Sequence, residues 1–177
     1  MENKQDIIES ILAEYPICEY CFGDTTQIPF SDKVLVICET DCKRYGHCWA
    51  CPPHAGNIYE NMDRCRKFQR FVLFSTVWEV SDAYNLDACA EAQRSHAAMT
   101  RELREQVEKE VSDVYFLSTV CSICDVCACP DEPCRHPEER LQSTESHGIV
   151  VMQLAEEMGL CFNYGGTIAV YFSMIFF

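Results

Sequence analysis

The segment Cys121-Ser-Ile-Cys124-Asp-Val-Cys127-Ala-Cys129-Pro-Asp-Glu-Pro-Cys134-Arg-His-Pro places thiols at every third residue, then adds two more within a few positions. A loop turning at that period aims successive thiolates at one centre, as a cubane iron–sulfur cluster requires. The fourth ligand is Cys129 or Cys134. A single residue between Cys127 and Cys129 makes ligation by both sterically awkward, so Cys121, Cys124, Cys127 and Cys134 form the candidate set, with Cys129 set aside. A structural zinc site assembled from two cysteine pairs is the competing reading of the same residues.

A second concentration of thiols lies upstream in Cys38-Glu-Thr-Asp-Cys42-Lys-Arg-Tyr-Gly-His-Cys48-Trp-Ala-Cys51-Pro-Pro. Cys38, Cys42, Cys48 and Cys51 make a second candidate ligand set, for a cluster or a zinc knuckle. Pairing Cys18-x-x-Cys21 with Cys48-x-x-Cys51 would instead give a zinc-ribbon-like arrangement. Pro52 and Pro53 remove two backbone donors at the loop exit, and Gly46 permits a sharp bend. His47 and His54 flank the loop but read as surface or hydrogen-bonding groups. Lys43, Arg44 and Arg135 suit thiolate charge compensation. Cys65, Cys89 and Cys161 stand apart from other cysteines and read as structural thiols.

Fourteen cysteines within 177 residues demand an explanation from context. No signal-peptide pattern opens the sequence, so the chain reads as cytoplasmic. In that compartment clustered cysteines bind metal or do redox work more often than they pair as disulfides. Fourteen Lys and Arg against 28 Asp and Glu give a formal net charge of −14. Such a balance excludes a nucleic-acid partner, which needs clustered cations, and disfavours an anionic membrane surface. Hydrophobic residues make up 48%, enough for a substantial core. The longest apolar run, Thr167 to Phe177, is too short to span a bilayer as a helix.

The elements that must hold these loops follow from periodicity. Ile7, Ile8, Ile11, Leu12 and Tyr15 form one helical stripe that Pro16 ends, and Cys18 and Cys21 fall in the following loop. Lys33 to Ile37 is β-branched and reads as a strand delivering Cys38. Asn57 caps a helix carrying Ile58, Met62, Cys65 and Phe68, with Glu60 completing a capping-box pattern. A buried strand follows over 71–80, a long helix over 87–110, and a strand over 114–120 that runs into Cys121. A helix over 147–158 stops at Gly159, and a last strand covers 167–177. This alternation predicts an α/β or α+β sandwich, a mixed sheet of about four strands covered by helices. Residues 1–32 read as an N-terminal helix with its cysteine loop, and 33–177 as a single metal-binding domain.

The pattern Cys38…Cys42-x-x-Tyr45-Gly46…Cys51-Pro52-Pro53, with Cys121-x-x-Cys124-x-x-Cys127…Pro133-Cys134-Arg135-His136-Pro137-Glu138 far downstream, resembles a cysteine-rich family of predicted metal-binding proteins of unknown function. Ser143, Glu145, Gly148, Ile149 and Val151 continue the agreement. The resemblance implies metal binding by Cys38, Cys42, Cys51, Cys121, Cys124, Cys127 and Cys134, typically in anaerobes, and implies no reaction. Cys48, Cys129 and the Cys18/Cys21 pair lie outside it, and Leu141-Gln142 stands where an Arg-Pro is expected. Three functions compete. One is an electron-transfer protein with one or two [4Fe–4S] clusters and a redox protein partner; another is a zinc-stabilised interaction module. The third, an enzyme with an open metal position, lacks a nucleophilic triad, Walker loop or dinucleotide fingerprint to support it.

Overall fold

The computed structural model describes residues 3–177. Two strands dominate it, β2 (Arg70–Glu79) and β5 (Ile168–Phe176), paired antiparallel along their whole length from Phe71↔Phe176 to Glu79↔Ile168. Side chains alternate across a strand, and here both faces are apolar. Phe71, Leu73, Met174 and Phe176 face one way, against Ile149, Leu154 and Ala155. Val72, Phe74 and Ile175 face the other, against Ile8, Leu12, Leu103 and Val107. Burying each such side chain contributes about 1.5–3 kcal/mol. This two-faced burial is why the segment reads as a continuous apolar run.

The sheet is open and five-stranded, in the order β1-β2-β5-β3-β4, with β1 (Glu19–Asp24), β3 (Tyr115–Ser118) and β4 (Gln142–Ser143) completing it. All neighbours are antiparallel except β3 and β4, which run parallel. Helices cover both faces, so the expected mixed α+β architecture holds. On one side lie α1 (Lys4–Leu12), whose Ile8 and Leu12 are buried, and the long α4 (Ala90–Glu110), which buries Ala92, Met99, Leu103 and Val107. Opposite lie α3 (Ile58–Arg66) and α5 (Val151–Glu157). Asn57 caps α3 as expected, accepting the backbone N–H groups of Tyr59 and Glu60.

Three expectations need correction. Residues 33–37 are not a strand: Val34–Asp41 forms helix α2, where Val34 packs against Ile58 and Met62. Tertiary contact overrides the β preference of Val and Ile there. Cys21 lies in strand β1 rather than a loop, and Cys18 donates its backbone N–H to Ser75. With 33–37 lost as a strand and β1 and β4 gained, the count goes from about four to five.

A parallel pair requires a crossover connection, usually a helix. Between β3 and β4 that connection is residues 119–141, without helix or strand. It far exceeds the roughly 12–15 residues beyond which structureless loops in a compact domain are uncommon unless functional. The candidate ligands Cys121 to Cys134 all lie in it.

Candidate metal centre

Helix α2 ends at Cys42, which returns its backbone N–H to the Cys38 carbonyl. Residues four apart share a helix face, so the correction from strand to helix puts these two thiols side by side. The chain then turns tightly. Gly46, at φ +74°, donates to the Pro52 carbonyl, and Cys51 donates to Cys48. Arg44 ties this loop to its surroundings, donating to the Cys121 carbonyl at 3.2 Å and to Gln93 at 2.9 Å. The Trp49 indole donates to the Glu132 carbonyl at 3.0 Å. Ala50 accepts from the Ser143 backbone, so the loop also joins the short edge strand.

Two cavities result, sharing Lys43 and Arg44 in their walls. The first, of about 280 Å³, is lined by Cys121, Cys124, Cys127 and Cys134 together with Cys48. Arg135, Arg140, His47 and His136 also border it. The second, of about 510 Å³, is lined by Cys38, Cys42 and Cys51, and by the acids Asp41, Asp87 and Glu145. Its remaining wall is largely apolar, with Val34, Ile37, Leu86, Ala90 and Val120. The four downstream cysteines therefore line one cavity. The four upstream ones divide: Cys48 faces the first cavity and its loop companions the second. Between the cavities, Cys48 and Cys51 are close enough to perturb each other. The neighbouring Cys51 thiol, aided by the Ala50 amide and Arg44, pulls Cys48 down to about 6 against its own burial. The Cys51 thiol is held protonated and pushed upward.

The second cavity groups acids that resist ionisation together. Burial, with Glu145 and Cys42 alongside, pushes Cys38 up to about 11. Shielding from solvent raises the Glu145 carboxyl above the ordinary range, opposed by its own backbone N–H and by the Thr144 hydroxyl, which donates to it at 3.1 Å. No ion pair to Glu145 forms among the described residues. Its position is set by a short 3₁₀ turn, Glu145–His147, in which the Ser143 hydroxyl accepts the Ser146 N–H. Gly148 follows at φ +67°, where a Cβ would overlap Met62. The side chain of Asn61 clamps the turn by donating to the Ser146 carbonyl. In the first cavity, burial raises Cys121 despite the Ile123 amide.

The donor sets suit soft, thiolate-bound iron or zinc, with guanidinium groups nearby to offset thiolate charge. Among the described residues, no three His, Cys, Asp or Glu side chains converge on one ion-sized point. Cys129 is buried against the Gly46 carbonyl and borders neither cavity. Cys18 is exposed beside Tyr164 and lines neither cavity. Cys65 is buried in the core, Cys89 is buried at the start of α4, and Cys161 is half-buried, its amide donating to Glu19. His54 stacks edge-on against Trp49, and His47 lines the first cavity at the surface. Spacing alone did not single out Glu145. The available signal was its place in the Ser143-x-Glu145 segment, which pairs with no helical or strand period.

A model of the family described as "Predicted metal-binding protein (DUF2284)" matches residues 23–177. No curated protein and no solved structure matches the chain. Among the described residues no helix is long and apolar enough to cross a membrane.

Proposed function

We propose, for a chain that belongs to the DUF2284 family of predicted metal-binding proteins, that its metal is iron held with sulfide in cubane clusters, and that it transfers electrons. The observation that supports this reading is that Cys121, Cys124, Cys127 and Cys134 all line one cavity, in a loop with no helix or strand. Roughly 15 Å³ admits one water molecule, so a space of about 280 Å³ is far more than a lone ion needs. Three cysteines in strict third-residue register, followed by a fourth, match cluster ligation better than two separate zinc knuckles.

The second cavity, with Cys38, Cys42 and Cys51, supports a second centre within the same domain. Cys48 lies on the wall between the two. Its thiol neighbours Cys51 and Cys127, where a sulfur–hydrogen contact would tune the potential of a bound cluster. Bound iron would supply one-electron redox chemistry. The protein's own groups hold the thiolates, balance their charge through Arg44, and keep water out with Trp49 and Val120. The net charge of −14 suits docking to a basic redox protein.

Anaerobic purification followed by iron, zinc and acid-labile sulfide analysis tests this. A brown protein with matching iron and sulfide is expected. A colourless protein carrying stoichiometric zinc and no sulfide would sink the reading in favour of a zinc-stabilised module.

A further inference from the structure

Two hollows of the surface meet at Leu86. It lines the second cavity with Ile37, and it also lines a neighbouring hollow of about 330 Å³ with Tyr84 and Met152. The side chains that join the two lie open to solvent: Ile37 is 61% exposed, Tyr84 79%, Leu86 62% and Met152 61%. Scattered exposed aliphatics are ordinary. Four large apolar side chains around two adjoining hollows instead form one strip, and a contiguous exposed apolar patch rimmed by polar groups marks an interaction site.

The rim says what kind of partner fits. Asp41 and Asp87 are exposed in the wall of the second cavity, and Asp82 is exposed two residues before Tyr84. None of the three forms an ion pair among the described residues. Two cations share the wall. Arg44 is spent inward, on the Cys121 carbonyl and Gln93, which leaves Lys43 as the exposed cation there. The hollow beside Tyr84 and Met152 has no charged residue in its wall. An apolar centre with an acidic rim complements an apolar centre ringed by Lys and Arg. The first cavity repels such a partner, since Lys43, Arg44, Arg135 and Arg140 line it against the single acid Asp125.

We propose that this strip, centred on Leu86, is the docking surface for a basic electron-transfer protein. The inference rests on the electron-transfer reading above and gives that transfer a place. Cys42 is exposed and lines the same cavity as Ile37 and Leu86, so a partner seated there lies against the thiol-bearing end of α2. The apolar side chains hold the complex once formed, and the acids around them speed its formation.

The test uses a basic ferric cytochrome c as probe. Wild type, reduced anaerobically, freed of reductant and assayed for iron and sulfide, is mixed with it in a stopped-flow instrument. One electron leaves the protein's cluster and the ferric haem becomes ferrous. A second-order rate constant that falls with added salt is expected. Leu86→Asp and Tyr84→Ala, both at exposed positions, should lower it about tenfold or more per cluster, as loss of an interface anchor does. Asp87→Lys should lower it too. Glu105→Lys makes the same change in net charge fifteen residues, or about 22 Å, along α4 from Ala90. Its rate constant should stay close to that of wild type. Equal losses in Asp87→Lys and Glu105→Lys, or wild-type rates in Leu86→Asp and Tyr84→Ala, would overturn the docking surface while leaving the clusters standing. A wild-type dimer in sedimentation that Leu86→Asp converts to monomer would assign the strip to a second copy and overturn it as well. Wild type without iron and sulfide would remove the electron-transfer reading and this inference with it.

Discussion

The two cysteine loops look alike in composition and behave differently in the fold. The downstream loop brings four thiols to one cavity by its own turning, since Cys121, Cys124, Cys127 and Cys134 all lie in a single uninterrupted connection. The upstream loop divides its four between two cavities, because it begins on a helix and ends in turns. Helix α2 stacks Cys38 over Cys42, and the turn after Gly46 sends Cys48 one way and Cys51 the other. The wall of the upstream cavity also takes in Glu145, about a hundred positions along the chain, beside Asp41 and Asp87. The difference teaches that short-range spacing gathers thiols at one cavity only when all of them ride on the same irregular connection. Once a regular element intervenes, its geometry and its packing choose which cavity each thiol lines.

The sharpest way to break that comparison is to delete one centre and watch the other. Cys124→Ser is expected to abolish metal at the downstream cavity while the upstream centre keeps its own. Cys42→Ser should do the reverse. Metal and sulfide analysis of each variant decides, and joint loss of both centres from either one would mean that the loops form a single site.

A second contrast sets the loops against the sheet. Leu103 is fully buried on α4 against Val72 and Ile175, so Leu103→Ala should cost about 2–5 kcal/mol of stability. It should leave the metal content unchanged, as read by chemical denaturation beside metal analysis. A change in metal stoichiometry would show that the loops depend on the core more intimately than their contacts indicate.

Acid separates the regions by another route. His96, on the buried face of α4, sits between the Thr76 and Ser173 hydroxyls, and burial pulls it down to about 4. His147, bonded to Tyr115, is likewise near 4 through burial. For each, the folded pKa lies below the ordinary 6.5, so the unfolded chain binds the proton more readily. Stability is therefore fully present above about 6.5 and falls as the pH drops toward 4. Each pKa unit corresponds to about 1.4 kcal/mol, which makes the loss on the order of 3 kcal/mol per histidine. His96→Gln should flatten that slope, measured by denaturation on the metal-free protein so that ligand protonation does not contribute. An unchanged slope would mean that acid acts elsewhere.

The smallest expected effect is at Cys48. Cys48→Ser should keep the metal content of both centres and shift a reduction potential, since its thiol stands beside Cys51 and Cys127 as a neighbour. Electrochemistry detects the shift. Loss of iron from either centre would make Cys48 a ligand and place it in the set that its loop spacing first suggests.

Much of the frame was legible beforehand. The helix at Asn57, the long helix ending near Glu110 and the strands near 71–80, 114–120 and 167–177 all emerge where periodicity puts them, within a few residues. Their side chains alternate or recur at helical spacing because each packs on a large core. Short elements escaped. Strand β4 is two residues long and exists only because β3 offers an edge, so it has no pattern of its own. Helix α2 reads as a strand because Val34, Val36 and Ile37 prefer extended backbone. Its helical form is decided by the contact of Val34 with Ile58 and Met62, and the four-residue spacing of Cys38 and Cys42 was the overlooked hint.

The sequence by itself determined that this chain belongs among predicted metal-binding proteins, and that Cys121, Cys124 and Cys127 sit in one third-residue register, because that register is a local property that survives any packing. Only the tertiary structure decided how the upstream thiols divide between the two cavities. Sites assembled from a helix, a turn and a distant 3₁₀ segment are fixed by burial and by long-range hydrogen bonds, and neither leaves a period in the sequence.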